Sequence, residues 1–515
     1  MKIVDDTALR EILAGLPDGA TVAVSGAGGG LLEPDVAFRS FEASFKATGH
    51  PKSLTLVHAL GMGDRKEKGI NRFAHPGMVK RVIGGHWVWS PRMLAMAQRN
   101  EIEAYCLPSG VLTQLFREIG AKRPGLFTHV GLGTFCDPRL QGGRCNEAAT
   151  EPVVELIEID GKDVLRYLPF KVDVAVVRGT AIDAQGNITA REEPADLDSY
   201  DIALAAKASG GIVIAQVREE VEAGAIRPRE VSIPGNLVDF ALIAPSQTQT
   251  YHGPYSAALA GLSRDGERFD TMPENHLVRR IVAERAYREL EKGATINFGF
   301  GMSAGVAEIV ARKGERKDYW FTIEQGIHGG QLLTGDLFGI AAHAGAIMSS
   351  AQQFDLYSGG LLDQTYLGLA EMDGEGSVNV SHFGGQVSGP GGFIDISQGA
   401  RRVVFCGSFD AKGARLSVSG GKLNIDRHGD VRKLVPRVEG ITFSGPEAVR
   451  RGQRVTYVTE RAVFELGSEG VELTEIAPGI DLEADILARI GFRPIIREPR
   501  TMAPELFRDI VEKVA

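Results

Sequence analysis

The sequence is poor in the features that mark secreted, membrane-spanning and redox-active proteins. It contains 4 cysteines in 515 residues, Cys106, Cys136, Cys145 and Cys406, and no two of them form a C-x-x-C pair. We therefore interpret all four as reduced structural thiols. No run of eighteen apolar residues occurs, and the amino terminus, Met1–Asp6, turns acidic before any segment of signal-peptide length. These features predict a cytoplasmic protein.

Clusters of basic residues are lacking as well. The chain has 57 Lys and Arg against 66 Asp and Glu, which gives a net charge of −9 and a pI near 5.8. Nucleic acids and anionic membranes are therefore not expected as partners. The sequence also has no P-loop, H-E-x-x-H or EF-hand pattern, so it gives no support for a metal site.

Glycine, by contrast, is abundant, with 64 residues that cluster after short β-branched runs. This pattern is typical of strands that lead into tight turns and helices, and it predicts an α/β fold. At 515 residues the chain is too long for one ordinary core, so we expect two or more domains.

An internal repeat divides the chain. The segment Gly19–Gly28 recurs as Gly293–Gly301, an offset of 293 − 19 = 274 residues, and each copy reads as a turn, a strand and a G-x-G. A later pair of segments, Ile182–Ile188 and Met372–Val378, also matches. We predict two homologous α/β halves joined in the polar stretch Ser263–Pro273.

One acidic residue breaks this symmetry. Glu324 stands where the apolar strand Tyr319–Ile323 runs into a glycine-rich turn, Gln325–Gly330, whereas His58 or its neighbours hold the matching place in the first half. In α/β sheets ligands bind at the carboxyl ends of the strands, where a carboxylate can act as nucleophile or as acid and base. The alternative is a solvated glutamate that caps a turn.

Two short patterns near Glu324 indicate other functions. Gly299–Ala304 fits the G-x-G-x-x-A of dinucleotide-binding folds, with Glu324 at about the distance of the ribose-binding acid. Gly301–Gly305 fits G-x-S-x-G, the nucleophile elbow of α/β-hydrolases, with Ser303 as nucleophile. Both patterns arise often in a glycine-rich chain, and the residues alone leave them open.

Several ordered segments together resemble the family I coenzyme A transferases of the propionate and acetate CoA-transferase type. The segments that carry this resemblance span nearly the whole chain: Gly49–Pro51, Val82–Trp87, Gly125–Phe135, Asp137–Leu140, Gly391–Ser397 and Glu475–Leu482. The resemblance implies two homologous α/β domains with open, mostly parallel sheets and helices packed around them. Here these would be residues 1–270 and 271–515, the second carrying the catalytic glutamate and most of the CoA site.

The resemblance also assigns roles to residues. It implies that Glu324, in an E-x-G turn, is the catalytic nucleophile. It places the CoA-binding loop at Gly299, Gly301 and Ser303, where this chain has Ser in the position that is usually Pro.

Further residues of the site follow from the same resemblance. Backbone N–H groups of Ser109, Gly391 and Gly392 would form the oxyanion hole, with Ser109 in a position where family members usually carry Gln. Gln325 and His328 would border the pocket for the acid. For His328 the alternative is a histidine that faces solvent.

The activity implied is transfer of CoA from a short-chain acyl-CoA to a free carboxylic acid, such as acetate or propionate, by ping-pong chemistry through a γ-glutamyl-CoA thioester. Coenzyme A is then a substrate, and no metal or other cofactor is expected. Relatives commonly assemble as homo-oligomers, so a dimer or tetramer is expected here. A 3-oxoacid CoA-transferase and an acyl-CoA hydrolase on the same scaffold are the alternatives.

Overall fold

The structure is a computed structural model that describes residues 1–263, 269 and 276–508. The predicted joint, Ser263–Pro273, therefore lies mostly outside the described residues. Within the described ranges, no helix is both long enough and apolar enough to cross a membrane.

The first helix begins at a side-chain cap. It follows Asp5, whose side chain accepts a hydrogen bond from Ala8 N, and buries Leu9 and Leu13 as their spacing predicts. In chain order the helices are α1 (Asp6–Ala14), α2 (Asp35–Thr48), α3 (Pro91–Gln98), α4 (Ser109–Gly120), α5 (Ser199–Ala208), α6 (Leu277–Tyr287), α7 (Ala304–Arg312), α8 (Ser350–Ser358), α9 (Phe393–Gly399) and α10 (Gly445–Arg450).

The strands are mostly short and separated by glycine turns. Those before residue 250 are β1 (Lys2–Val4), β2 (Thr21–Val24), β3 (Leu54–His58), β4 (Val79–Gly84), β5 (Glu103–Cys106), β6 (Leu126–Thr128), β7 (Val154–Ile159), β8 (Lys162–Tyr167), β9 (Val174–Asp183), β10 (Ile188–Thr189), β11 (Ile212–Val221) and β12 (Phe240–Ile243). Those after it are β13 (Thr295–Phe298), β14 (Trp320–Ile323), β15 (Ile327–His328), β16 (Gln331–Leu332), β17 (Ala341–Ala342), β18 (Ala346–Ile347), β19 (Leu362–Gly368), β20 (Glu371–Met372), β21 (Val378–Asn379), β22 (His382–Phe383), β23 (Gln386–Val387), β24 (Ala400–Cys406), β25 (Asp410–Ala411), β26 (Arg415–Ser419), β27 (Lys422–Arg427), β28 (Val431–Arg432), β29 (Arg454–Val458), β30 (Ala462–Gly467), β31 (Gly470–Ile476) and β32 (Ile495–Thr501).

Contacts group the chain into two compact units. The first comprises Met1–Phe269, Ile323–Leu356 and Phe383–Asp395, and the second comprises the remainder. The segment that carries Glu324 therefore belongs to the first unit by contact. The division into residues 1–270 and 271–515 concerns the duplicated halves and stays a prediction.

The first unit is built on a sheet with the strand order β1-β12-β11-β9-β2-β3-β4-β5. Neighbouring strands in this order are parallel, and β10 adds an antiparallel pair to β9. Every residue of β9 is buried, as expected for a parallel strand covered on both faces. A small antiparallel sheet with the strand order β6-β8-β7 also belongs to this unit.

The second unit repeats the parallel arrangement. Its strands run in the order β14-β13-β19-β24-β29-β30-β31-β32. The neighbouring pairs from β14 to β29 are parallel. Strand β30 is antiparallel to both β29 and β31, and β31 is parallel to β32. The mixed α/β class with mostly parallel sheets and surrounding helices, expected from the sequence, is confirmed.

The repeat seen in the sequence is also visible in the backbone. Strand β2 begins at Thr21 and β13 at Thr295, so the two are 295 − 21 = 274 residues apart. The later repeat forms the same turn twice, with Asp183 N donating to Asn187 O at 3.0 Å and Asp373 N donating to Ser377 O at 3.1 Å. Each aspartate also caps its own turn through the side chain.

Candidate active site

Glu324 lies at the carboxyl end of β14, half-buried, on a turn that only glycine can complete. Gly326 N donates to Ile323 O at 3.0 Å, and Met348 N donates to Gly326 O at 2.8 Å. Gly326 has a φ of +92°, and a Cβ built there would stand 2.0 Å from Met348 O. The backbone on the carboxyl side of Glu324 is therefore held on both edges, which fixes the backbone of the turn from which the Glu324 side chain extends.

The residues on both sides of this turn pack into a hydrophobic cluster. Ile323 and Ile327, which flank it, are 5% and 0% exposed. They pack in one cluster with Leu31, Leu197 and Ile340 of the same unit. The apolar residues on either side of Glu324 are thus buried, whereas Glu324 itself is only half-buried.

The turn before α4 lies at the carboxyl edge of the first unit's sheet. Strands β4 and β5 run side by side, with Gly84 paired to Cys106, and each leads directly into a glycine or proline turn. Ser109 Oγ donates to Ala59 O at 2.7 Å, next to the end of β3. Three neighbouring strand ends therefore meet at Ser109, which is the edge where such sheets bind ligands.

The predicted oxyanion residues lie together at this edge. Ser109 N donates to Gly391 O at 2.9 Å, and Gly391 N donates to Gly85 O at 2.8 Å. Both of those N–H groups are thus bonded to carbonyl oxygens of the protein. Within residues 1–263 and 276–508, the N–H of Gly392 has no such acceptor.

A buried carboxyl group adjoins these turns. Asp395, in the first turn of α9, is 1% exposed, and its Oδ2 accepts a hydrogen bond from Gly110 N at 3.1 Å. Burial raises the pKa of Asp395 to about 8, and the negative charge of Glu324 contributes in the same direction. Asp395 is therefore neutral at pH 7, close enough to Glu324 to sense its charge.

The two residues expected to border the acid pocket are both buried. Gln325 is 6% exposed, and its Oε1 has no hydrogen-bond partner among the described residues. His328 is 4% exposed, so the alternative of a solvent-facing histidine is wrong. Burial lowers the pKa of His328, an effect that the side chain of Gln353 partly offsets.

The predicted CoA-binding loop follows β13 in the second unit. Gly299 N donates to Tyr366 O at 2.8 Å, and Gly301 has a φ of +92° with open space where a Cβ would be. Ser303 is fully buried, and its hydroxyl donates to Gly299 O at 2.9 Å. A serine so engaged holds the loop closed and is unsuited to the nucleophile's role in the G-x-S-x-G pattern. Its φ of −62° would also suit a proline, the residue that the family resemblance implies at this position.

Comparison with known proteins decides the family. The chain is 41% identical to the acetate CoA-transferase YdiF of Escherichia coli K12 over 503 residues, which is 97% of this chain and 94% of that protein. It belongs to the coenzyme A transferases. The family model for coenzyme A transferase matches residues 7–242.

Two further relatives agree with this coenzyme A transferase assignment. The caffeate CoA-transferase of Acetobacterium woodii is 42% identical over 490 residues, 93% of each chain. A crystal structure of the acyl-CoA transferase YdiF from E. coli O157:H7, in thioester complex with CoA, superposes with a TM-score of 0.91 at 40% identity, covering 99% of this chain and 96% of that one. The protein is thus an enzyme of this family, for which CoA is a substrate.

Sequence reasoning did not single out Asp395, which the structure places next to the turns of the candidate site. Asp395 belongs to a segment that supports the family resemblance, yet the residue pattern gave it no role. The available signal was an acidic residue inside an apolar run, Phe393-Ile394-Asp395-Ile396, directly after a glycine turn. A carboxyl group in such a run is either paired or neutral when buried, and here it is neutral.

Proposed function

We propose that this enzyme transfers CoA from a short-chain acyl-CoA to a free carboxylic acid of the acetate or propionate type, through a thioester on Glu324. The observation that carries the proposal is the half-buried Glu324 on a glycine turn, whose charge acts on Asp395, the residue bonded to the N–H of Gly110 next to Ser109. The thioester complex with CoA known for the YdiF structure supports it.

The first half-reaction makes and breaks two bonds. A carboxylate oxygen of Glu324 attacks the thioester carbonyl of the acyl-CoA, and CoA thiolate leaves, which produces an acyl-glutamyl anhydride. The thiolate then attacks the glutamyl carbonyl, and the acyl carboxylate leaves. The products are the free acid and an enzyme-bound γ-glutamyl-CoA thioester.

The second half-reaction reverses these steps with another acid. Its carboxylate attacks the glutamyl thioester, thiolate leaves, and the thiolate then attacks the acyl carbonyl of the new anhydride. Glu324 is released as the carboxylate. Because the thioester is conserved and no net proton is taken up, the chemistry calls for no nucleotide hydrolysis.

Each addition step places negative charge on a carbonyl oxygen, which needs an N–H donor at about 3 Å. Of the three candidate donors we assign this role to Gly392, whose N–H has no acceptor in the described part of the chain. Ser109 and Gly391 then hold the donor in place through their own hydrogen bonds. Gly299, Gly301 and Ser303 form the CoA-binding loop in this proposal.

We place the reaction in the cytoplasm and propose a homo-oligomer, a dimer or a tetramer. Acyl-CoA and small carboxylic acids are the proposed partners.

A transfer assay tests the proposal. Wild-type enzyme with propionyl-CoA or acetyl-CoA should transfer CoA to short acids with parallel-line ping-pong kinetics. Glu324→Ala should lose at least about 10³-fold in rate, because removing a covalent nucleophile leaves only binding effects. Glu158→Ala, a change at an exposed glutamate of β7, serves as the matched control and should be active.

The same assay separates the alternatives. CoA released at the full rate without an acceptor acid would indicate a hydrolase, and preference for acetoacetate with succinyl-CoA would indicate a 3-oxoacid CoA-transferase. Near wild-type transfer by Glu324→Ala would contradict the proposed mechanism outright.

A further inference from the structure

Asp395 is a buried carboxyl group that the two half-reactions above do not use. It is 1% exposed, and no Lys, Arg or His forms an ion pair with it among the described residues. Burying a carboxylate without a cation is costly, whereas burying the protonated acid is tolerated. Asp395 is nevertheless near a second acid, Glu324, whose charge acts on it.

The contacts of Asp395 join the amino ends of two helices. Its Oδ2 accepts the N–H of Gly110 at 3.1 Å, and the preceding residue of α4, Ser109, donates its N–H to Gly391 O at 2.9 Å. Two consecutive N–H groups at the start of α4 are thus bonded to residues at the start of α9. This pair of hydrogen bonds sets the position of the turn that holds Gly392.

The approach is close enough to exclude any larger residue. A Cβ on Gly110 would stand 2.5 Å from Asp395 Oδ1 and 2.5 Å from the ring of Phe354. Glycine at position 110 therefore allows the carboxyl group to approach the helix end. The site is a packed contact rather than a loose one.

The charges around Asp395 favour its neutral form. Burial raises its pKa to about 8, and the Glu324 carboxylate acts in the same direction, against the hydrogen bonds from Gly110 and Val111. The other titratable groups with which it interacts are Cys136 and Tyr167, both buried and neutral near pH 7. In the part of the chain that the structure describes, no cation is among the groups that act on Asp395 and could offset a second negative charge there.

We propose that Asp395 is a positioning residue for the transfer reaction: it stays protonated while Glu324 is an unacylated carboxylate, and it fastens the amino end of α4 to the turn at Gly391. This inference rests on the proposed role of Glu324. It extends that role by assigning each of two neighbouring acids its own protonation state, as happens when like charges share one site.

The protonation of Asp395 is coupled to the stage of the reaction. In the free enzyme Glu324 is negative and opposes loss of the Asp395 proton. In the thioester form that negative charge is gone, so Asp395 loses its proton at a lower pH. An ionised Asp395 then repels the incoming acid and the developing oxyanion, so the second half-reaction fails at a lower pH than the first.

Kinetics of the wild-type enzyme test this directly, because in a ping-pong reaction kcat/KM for each substrate reports on the enzyme form that it meets. We expect kcat/KM for acyl-CoA to fall about tenfold per pH unit above about pH 8. The value for the acid should begin to fall at lower pH. We call the fall of kcat/KM at high pH the alkaline limb. The inference would be overturned if the alkaline limbs for acyl-CoA and for the acid coincided, or if the limb for acyl-CoA began at the lower pH.

Two variants provide an independent test at the residue. Asp395→Asn keeps an oxygen that accepts the Gly110 N–H and cannot ionise, so it should retain activity at pH 7 within about tenfold and lose the alkaline limb. Asp395→Ala lacks the acceptor and should be slower at every pH. An Asp395→Asn enzyme that is inactive throughout, or that keeps the wild-type alkaline limb, would contradict the role.

The outcome is separable from that of the proposed function. If Glu324 is not the nucleophile, Glu324→Ala transfers CoA and the wild-type pattern is not ping-pong. If only the assignment of Asp395 fails, Glu324→Ala stays inactive while the pH limbs of wild type and Asp395→Asn coincide. Should Asp395→Asn fail to fold, the wild-type comparison of the two kcat/KM limbs still decides.

Discussion

At the scale of single residues, selection of the acid is the property left most open by the proposed mechanism. His328 follows Glu324 by four positions and is buried, with a pKa lowered by that burial, so its ring is neutral at pH 7. A neutral imidazole both donates and accepts a hydrogen bond. It suits a hydroxyl or keto group on the acid better than a second carboxylate, which a cation would bind more strongly.

We therefore predict that His328→Ala changes the order of acceptors. Relative to propionate, acids with a hydroxyl or keto substituent should lose about tenfold in kcat/KM, the effect of one buried hydrogen bond. A panel of short acids assayed with one acyl-CoA donor measures this.

The control for this experiment is His252→Ala, because His252 is exposed and belongs to the same unit. The control should keep the wild-type order of acceptors. An unchanged order in His328→Ala would remove His328 from the specificity pocket.

The sequence predicted Glu324 and missed Asp395 for a physical reason. Glu324 stands out because its own neighbours, an apolar strand and a glycine turn, define a strand end. Asp395 acquires its role from Gly110, which is 285 positions away in the chain. No local pattern encodes such a contact, so only the folded chain reveals that this carboxyl group is buried.

At the scale of elements, the site depends on how closely the start of α4 approaches the start of α9. Glycines make this approach possible. A Cβ on Gly85 would stand 1.9 Å from Ala59 O, and one on Gly389 would stand 2.7 Å from Gly85 O. Backbone segments this close hold the N–H of Gly392 in a fixed direction, which an oxyanion site requires.

Gly110→Ala tests this packing. The added methyl group collides with Asp395 and Phe354, so α4 must shift, and we expect transfer activity to fall at least about tenfold and the free energy of unfolding to fall by about 1–3 kcal/mol. Steady-state kinetics and denaturant unfolding measure the two effects.

Gly15→Ala is the matched control, because the structure has space for a Cβ at Gly15. A Cβ at Gly15 meets its nearest atom at 3.5 Å, and Gly15 has a negative φ of −87°. This variant should keep both activity and stability. Equal behaviour of Gly110→Ala and Gly15→Ala would contradict the packing described for α4.

Strands that coincide with a run of apolar residues were predictable from the sequence, and strands of only two residues were not. The repeated strands β2 and β13 and the strand before Glu324 all form where their apolar runs indicate, the last as β14 (Trp320–Ile323). The two-residue strands β15 to β18, which lie in or shortly after the glycine-rich turn that follows Glu324, are too short to show a hydrophobic periodicity. They form because the buried backbone N–H and C=O groups next to the glycines need hydrogen-bond partners.

At the scale of the whole molecule, buried acids set how stability depends on pH. Glu33 is 1% exposed and accepts hydrogen bonds from Gly63 N at 2.8 Å and from the hydroxyl of Tyr251 at 2.9 Å. Burial raises its pKa from 4.5 to about 8 despite these bonds. Between those two values the folded protein holds a proton that the unfolded chain has released.

The sign of the effect follows from this proton. Because the folded state binds more protons than the unfolded state from about pH 4.5 to about pH 8, the contribution of Glu33 to stability falls as pH rises through that window. Glu33→Gln removes this dependence and keeps the hydrogen bonds. Its stability relative to wild type should therefore rise by up to about 1.4 kcal/mol per pH unit.

Thermal or denaturant unfolding at pH 5.5 and pH 8 measures this difference. Glu158→Gln, at an exposed glutamate, should show none of it and serves as the control. A gap between Glu33→Gln and wild type that is the same at both pH values would contradict a neutral Glu33.

The family assignment also belongs to the scale of the whole molecule. It depended on ordered segments from Gly49 to Leu482, and full-length similarity to acetate and caffeate CoA-transferases supports it. Composition and charge alone limited the chain to a globular protein, and the glycines that follow short β-branched runs predicted the α/β class. The choice of acid is proposed to depend on side chains such as Gln325 and His328, whose burial only the folded chain reveals.

The most direct test of the central claim is detection of the covalent intermediate. Wild-type enzyme incubated with an acyl-CoA and no acceptor, then digested and analysed by mass spectrometry, should carry CoA as a thioester on the peptide that contains Glu324. Borohydride should reduce that thioester and inactivate the enzyme, and Glu324→Ala should carry no adduct. Transfer of CoA by an enzyme without this adduct, or an adduct on another residue, would contradict the account.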